Sequence, residues 1–273
     1  MRPLPLSTRA VLILYAMTLL VPIAWVCVSS LKTSAEIFAS PWAFPTTPQW
    51  KNYAAAWSDN GLSRYFLNSC LVTGASLAVL IPVGSAAAYV LARYPFPGNR
   101  LIYTLILGGM MFPNFLVIAP LTDLLRKFGL MNQLSGLVTV YVAFSLAFTV
   151  FVLHGFYQSV PKELEEAARL DGCDDARLYR RVMMPLATPG LVVVTIFNGL
   201  GLWNEFNLAL VLANQESLRT LPVGLANLTM SRQYQADWGS VFAALVIVMA
   251  PAFALYWTFR ERVQEAMLAG SIK

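Results

Sequence analysis

The chain is short of charge. Only 12% of its 273 residues are Asp, Glu, Lys or Arg, while 58% are hydrophobic; a soluble domain carries about a quarter charged residues. This shortage excludes a disordered chain and a coiled coil, and it argues against an ordinary soluble enzyme. Histidine is almost missing: His154 stands alone and cannot build a histidine metal cluster. The three cysteines, Cys27, Cys70 and Cys173, lie far apart without a Cys-x-x-Cys, which speaks against a zinc site or a disulfide framework. No Gly-x-x-x-x-Gly-Lys-Ser/Thr occurs, so the chain has no phosphate-cradling loop of that kind and is not expected to hydrolyse ATP by itself. The net charge is +5, yet no dense basic run is interleaved with aromatics, and nucleic acid is not read as a partner. There is no internal repeat, no low-complexity tract and no Gly/Ser linker.

What is present is a set of long uncharged stretches. A membrane-spanning helix needs about 20 mostly apolar residues. Six stretches meet that need: 10–31, 65–92, 101–122, a run within 128–161, 182–212 interrupted by Glu205, and 238–259. The first follows Arg2 and Arg9, as a signal peptide would. Its apolar run exceeds the ~7–15 residues of a signal core, and the exit Val26-Cys-Val-Ser-Ser-Leu-Lys32 offers no small-x-small cleavage site, so it is read as an uncleaved span. Pro82, Pro113, Pro120 and Pro251 fall inside these stretches, where a helical bundle tolerates them.

Six spans put both termini on one side. That side collects 12 Lys and Arg against 7 on the other, so the termini are expected in the cytoplasm. Residues 32–64 carry Trp42, Trp50, Trp57 and Tyr53, aromatics that suit a membrane–water interface. Residues 213–237 read as a polar outer loop.

The loop 159–187 holds eleven of the 33 charged residues. Its pattern is helix–turn–helix. Pro161 suits a first helical position and Ser159 a cap. Glu163, Glu165 and Glu166 oppose the helix dipole favourably. Gly172 ends the first helix, Asp174 or Asp175 caps the second, and Pro185 ends it. Two short helices joined at a glycine make a compact knob. With Ala167 and Ala168 it offers a smooth surface that another backbone can approach. The residues alone leave two readings: an amphipathic helix on the membrane surface, or a docking element.

Glu166-Ala167-Ala168, then three residues, Gly172, nine residues and Val182-x-Met184-Pro185 resemble the EAA signature of bacterial ABC-importer permeases. Ser30-Leu31-Lys32, Asn68-Ser69, Trp203-Asn204-Glu205-Phe206, Thr220-Leu221-Pro222-Val223-Gly224-Leu225 and Leu268-Ala269-Gly270-Ser271-Ile272-Lys273 extend the likeness over nearly the whole chain. Together they resemble the smaller permease subunit of maltose-type and glycerol-3-phosphate-type carbohydrate importers. Two positions depart from the family pattern: Val-x-Met-Pro stands for Ile-x-Leu-Pro, and Ala266-Met267-Leu268 for Gly-Leu-Thr.

The resemblance implies an all-α transmembrane chain with the six-helix type I ABC-importer fold. Its segments would be a first helix with an extracytoplasmic segment (1–63), a core (64–260) containing the EAA loop, and a cytoplasmic tail (261–273). It implies a carbohydrate translocated by alternating access and four partners: a second permease, two ATPase subunits and an extracytoplasmic solute-binding protein. ATP and magnesium would belong to the ATPases, with no cofactor or metal in this chain. Glu166, Ala167, Ala168, Asp171, Gly172 and Pro185 would form the ATPase-docking surface, and motion there would tilt spans four and five. Asn114, Trp203, Asn204 and Glu205 are candidates for the translocation path, with the indole facing sugar. An acid inside a span is a functional candidate because burying its charge is costly; the plainer reading makes Glu205 a hydrogen-bond anchor between subunits or places it near the outer edge. His154 is read as a packing residue, and the 213–237 region as a contact for the solute-binding protein. The rival readings are a membrane-embedded transferase, which needs convergent acids or a metal set, and an ion-driven carrier, which needs repeats and several ionisable groups within the spans.

Overall fold

The fold comes from a computed structural model. It describes residues 5–235 and 237–271, without the side chains of residues 114, 231–236, 255, 256 and 259–271. Among the described residues every regular element is helical, as the apolar pattern predicts. In chain order α1 is Leu6–Ser29, α2 Ser34–Ala39, α3 Lys51–Ala54, α4 Leu62–Arg93, α5 Asn99–Gly109, α6 Ile118–Lys127 and α7 Leu134–Ser159. Then follow α8 (Lys162–Leu170), α9 (Asp175–Leu178), α10 (Met184–Leu186), α11 (Thr188–Trp203), α12 (Asn207–Leu212), α13 (Leu221–Gln235) and α14 (Trp238–Ser271). The helices α1, α4 and α7 are long and apolar enough to cross a membrane. Along α1, Val11, Leu12, Ile13, Leu14, Leu19 and Leu20 are exposed, a surface suited to lipid rather than water.

Two of the six stretches are not continuous helices. The third breaks after Gly109, and a 3-10 turn at Asn114–Val117 leads into α6. Pro113 is the cause: it takes an extended ψ of 126°, and its ring keeps the preceding residue out of the helical region. This proline is a break, whereas Pro82 and Pro251 sit within unbroken helices. The fifth stretch breaks at residues 204–206, between α11 and α12. The 213–237 region is largely helical, because α13 fills most of it.

Two compact units arise. One holds the residues up to Phe66 with Val223–Pro251, the other Leu67–Pro222 with Ala252–Lys273. This division cuts across the segments 1–63, 64–260 and 261–273. In the first unit the segment after α1 packs on the start of α14 rather than standing apart. Trp25 meets Phe242 edge-on at 5.1 Å and Phe38 meets Trp238 at 5.9 Å. The Trp238 amide donates to Ser34 Oγ at 2.9 Å. Lys32 is fully buried, and its Nζ donates to the carbonyls of Ser40 and Pro41 at 3.0 and 3.1 Å. Asn52 Nδ2 donates to the carbonyls of Ser30 and Lys32, both at 2.9 Å. The Ser30-Leu31-Lys32 motif therefore works here as a structural lock, in which buried polar groups are hydrogen-bonded.

In the second unit α7 packs on α11 and on α5. Gly84 of α4 lets α7 come close: a Cβ there would lie 2.6 Å from Thr149 Cγ2. The core gathers Tyr89, Leu91, Val150, Leu153, Tyr157, Leu178 and Met183. Asn68 Nδ2 donates to the carbonyls of Ser217 and Arg219 at 2.9 and 3.0 Å, and Leu221 N–H donates to Ser69 Oγ at 2.8 Å. The Asn68-Ser69 pair thus holds the chain that leads into α13.

Candidate functional site

The 159–187 loop folds as the sequence predicts at its turn. α8 ends at Gly172, whose φ of +83° is left-handed. Cys173 N–H donates to Ala168 O and Gly172 N–H to Arg169 O, each at 3.0 Å. These are the two bonds of a Schellman close, which favours glycine. Asp174 caps α9, its Oδ1 accepting from Arg177 N–H at 2.7 Å. Three details differ from expectation. Ser159 does not cap α8; it closes α7 and donates to Phe156 O. Pro161 takes the cap position itself. Pro185 does not end the second helix: the chain runs through a π-turn at Tyr179–Met183 into α10, then bends by 73° into α11.

The knob stands on a buried base. Leu178 and Met183 are fully buried among Leu153, Tyr157 and Tyr89. Tyr179 donates to Ser85 Oγ at 2.8 Å, and the Ser85 and Tyr157 hydroxyls lie 2.7 Å apart. The end of α4 clamps the knob from the side. Arg93 Nε pairs with Glu165 Oε1, with 6% and 16% of the two side chains exposed, and Arg93 Nη1 donates to Val160 O at 3.0 Å. Next to it Tyr94 OH donates to Asp175 Oδ1 at 3.0 Å, and Arg169 Nη2 reaches the same oxygen at 2.7 Å. Those two donors, Tyr94 first, hold the Asp175 carboxyl below its ordinary range, and the bond to Asp175 raises Arg169. A cleft of 710 Å³ opens between the α4–α5 turn and α8, lined by Arg93, Arg100, Lys162, Glu165, Glu166 and Arg169 among others.

Five of the six proposed docking residues, Glu166, Ala167, Asp171, Gly172 and Pro185, are exposed. Ala168 is not: it is 8% exposed and joins the chain's own core. It faces inward because α8 is amphipathic and must bury one face. Leu170, 89% exposed at the knob's tip, was not singled out from the sequence. Neither were Arg93, Tyr94 and Glu165. Glu165 was visible only as one acid among three, and its partner lies 72 residues away.

The Asn114 side chain lies outside the described residues. Trp203 is 6% exposed, so its indole packs within the chain instead of facing a channel. Asn204 is exposed and its Nδ2 turns back to Leu200 O at 2.8 Å. Glu205 is a hydrogen-bond anchor within this chain, not one between subunits. Its Oε1 accepts from Leu208 N–H at 2.8 Å; its Oε2 accepts from Ala209 N–H at 3.0 Å and from Tyr141 OH at 2.8 Å. It satisfies the free donors that begin α12 and ties them to α7. His154 packs as expected, stacked on Tyr103 with ring centroids 4.1 Å apart. The C-terminal resemblance, from Ala266 on, lies outside the described side chains.

Comparison with known proteins agrees with this architecture. The family described as binding-protein-dependent transport system inner membrane component matches residues 80–263. A diacetylchitobiose uptake system permease protein of Streptomyces coelicolor is 42% identical, over 97% of this chain and 88% of the relative. A sulfoquinovosyl glycerol transport system permease protein of Agrobacterium fabrum is 36% identical, over 93% and 89%. Among solved structures, a chain of a bacterial ABC transporter involved in import of the acidic polysaccharide alginate has the same fold. The TM-score is 0.79 at 22% identity, over 93% of this chain and 94% of that one. A helical membrane fold with an exposed, braced knob, a family match over most of its length and these relatives lead to one conclusion: this chain belongs to the family of inner membrane components of binding-protein-dependent transport systems.

Proposed function

We propose that the chain is one of two permease subunits of an ATP-binding-cassette importer for a carbohydrate. The observation that carries the reading is the knob at 159–187: Glu166, Ala167, Leu170, Asp171 and Gly172 stand exposed on a base that is buried and clamped. Small residues allow a partner backbone to approach, and the acids set its register. One of two partner ATPases, which hold ATP and magnesium, seats this knob on the cytoplasmic side, where both termini also lie. ATP binds one state of the pair better than the other, and that difference drives the motion. Because Arg93 and Tyr94 tie the knob to α4, the pull reaches α4 as well as α7 and α11. A solute-binding protein delivers substrate on the opposite face. Carbohydrate as cargo is supported by the relatives, among them uptake systems for diacetylchitobiose and sulfoquinovosyl glycerol.

The test is ATP hydrolysis by the reconstituted complex with binding protein and sugar. Glu166→Lys and Ala167→Trp both alter exposed positions, so the chain itself keeps its fold. Stimulated hydrolysis and uptake are expected to fall at least tenfold in both. Wild-type stimulation in both variants overturns the docking assignment and returns the knob to a membrane-surface role.

A further inference from the structure

The cleft of 710 Å³ between the α4–α5 turn and α8 is not accounted for by the docking knob. Of the six docking residues and Leu170, only Glu166 lines it. We infer that this cleft holds a phosphate group, carried as the headgroup of an anionic phospholipid at the membrane edge. The inference goes beyond the transport reading above and takes from it only the leaflet, the cytoplasmic one.

Arg93 points to the ligand. Its side chain is 6% exposed and lines the cleft. Nε pairs with Glu165 Oε1, and Nη1 donates to Val160 O at 3.0 Å. Nη2 is buried and has no partner. A buried donor on a charged group is costly unless an acceptor meets it. An anion seated in the cleft supplies that acceptor. Phosphate oxygens match the planar fork of a guanidinium.

The rest of the lining favours the same ligand. Four cations, Arg93, Arg100, Lys162 and Arg169, meet two carboxylates, Glu165 and Glu166. Glu165 is taken by Arg93, and Arg169 by Asp175. Arg100 and Lys162 are exposed and, among the described residues, enter no ion pair. Two uncommitted cations therefore stand against the exposed Glu166. Gly98 begins α5 at a φ of +88° without a side-chain cap. Having no side chain, it meets the cleft with its backbone, and the free amides of a first helical turn favour phosphate. The apolar side of the cleft makes a lipid the source. Leu101 lines it and is 63% exposed, and Leu105, one turn further along α5, is 66% exposed. Such leucines give acyl chains a surface beside the headgroup, and basic pockets at the cytoplasmic ends of spanning helices suit anionic headgroups. A phosphate held there joins α5 to α8, beside the tie that Arg93 makes between α4 and α8.

The experiment uses the assembled complex of both permeases and the ATPases in a neutral detergent. Phosphatidylglycerol is titrated in, and its retention on this chain is counted by native mass spectrometry after the chain is ejected from the complex. Phosphatidylcholine and inorganic phosphate are the comparison probes. Saturable retention of phosphatidylglycerol is expected, tighter than that of phosphatidylcholine by at least fivefold and not displaced by millimolar inorganic phosphate. Arg100→Gln with Lys162→Gln removes both uncommitted cations at exposed positions and is expected to weaken retention at least fivefold. Arg180→Gln with Arg181→Gln removes as much charge from exposed positions outside the cleft and is expected to leave retention within twofold of wild type. Four results overturn the site: no saturable retention, less than fivefold weakening in the cleft variant, equal weakening in the Arg180 and Arg181 variant, or displacement by inorganic phosphate, which makes the ligand a free anion. Retention only after the ATPases are removed gives the cleft to the ATPase and overturns the lipid as well. ATP hydrolysis stimulated by binding protein and sugar is measured on the same preparation. Stimulated hydrolysis without lipid retention fails the site alone, and its absence fails the transport reading whatever the lipid does.

Discussion

Arg93→Met puts the bracing of the knob to a quantitative test. Arg93 and Glu165 are 6% and 16% exposed and bonded to each other, and Arg93 also holds Val160 O. Methionine fills much of the arginine stem's volume but leaves the Glu165 carboxylate buried without its cation. Removing one partner of a buried pair costs about 3–5 kcal/mol. The residual exposure of Glu165 favours the lower end, about 3 kcal/mol. Most of that cost falls on local opening of α8, since the pair ties α8 to α4. At roughly 1.4 kcal/mol per decade, opening becomes about a hundredfold more frequent. The assay is amide hydrogen exchange, followed by mass spectrometry, on peptides covering residues 160–172 in the detergent-solubilised complex. Arg177→Met is the control: its pair with Asp174 is 3.6 Å long and 63% exposed on both sides, and such pairs contribute under about 1 kcal/mol. Arg93→Met with Glu165→Leu should recover most of the loss, because the stranded charge is gone. Exchange in Arg93→Met within threefold of wild type, with α8 peptides protected in both, refutes the reasoning.

Two further outcomes follow from single contacts. Gly136→Ala would place a Cβ 2.1 Å from the Leu130 carbonyl oxygen; backbone must move, so a loss of about 1–3 kcal/mol is expected, read as a lower thermal midpoint, whereas Gly155→Ala, which meets nothing within 4 Å, should leave the midpoint unchanged. The Glu36 carboxyl is held at about 2 by the Thr46 hydroxyl first, then by the Thr33 amide and hydroxyl. A lowered value means that its contribution is present above the ordinary 4.5 and is lost as pH falls from there towards 2; the midpoint difference between wild type and Glu36→Gln should therefore shrink between pH 6 and pH 3, and a constant difference would refute the assignment.

Much of the candidate site was readable in the sequence because its signals are local. A glycine after an amphipathic run marks a left-handed close, and Gly172 supplies it. An aspartate before a short helix marks a cap, and Asp174 supplies that. The breaks were less legible. Pro113 breaks its stretch while Pro82 and Pro251 do not; all three read alike as prolines in apolar runs. Side-chain surroundings inside the spans were not legible in the sequence. Trp203 and Glu205 drew notice as an indole and a charge, yet the first is buried in packing and the second is saturated by α12 and Tyr141.

The sequence by itself determined that this chain is helical and suited to a membrane, and where its charged knob turns. Those properties follow from composition, from periodicity and from backbone preferences that act within about a turn of helix. The tertiary structure decided which face of α8 is free. Ala167 and Ala168 are equivalent letters, but only Ala168 meets the core of Leu178 and Tyr157. It also decided that Arg93 belongs to Glu165 and Asn198 to Thr149, residues 72 and 49 positions apart. Long-range partners are chosen by which helices meet, and close packing fixes that meeting through positions such as Gly84 against Thr149. Once the helices meet, each buried polar group must take the donors and acceptors that geometry brings to it.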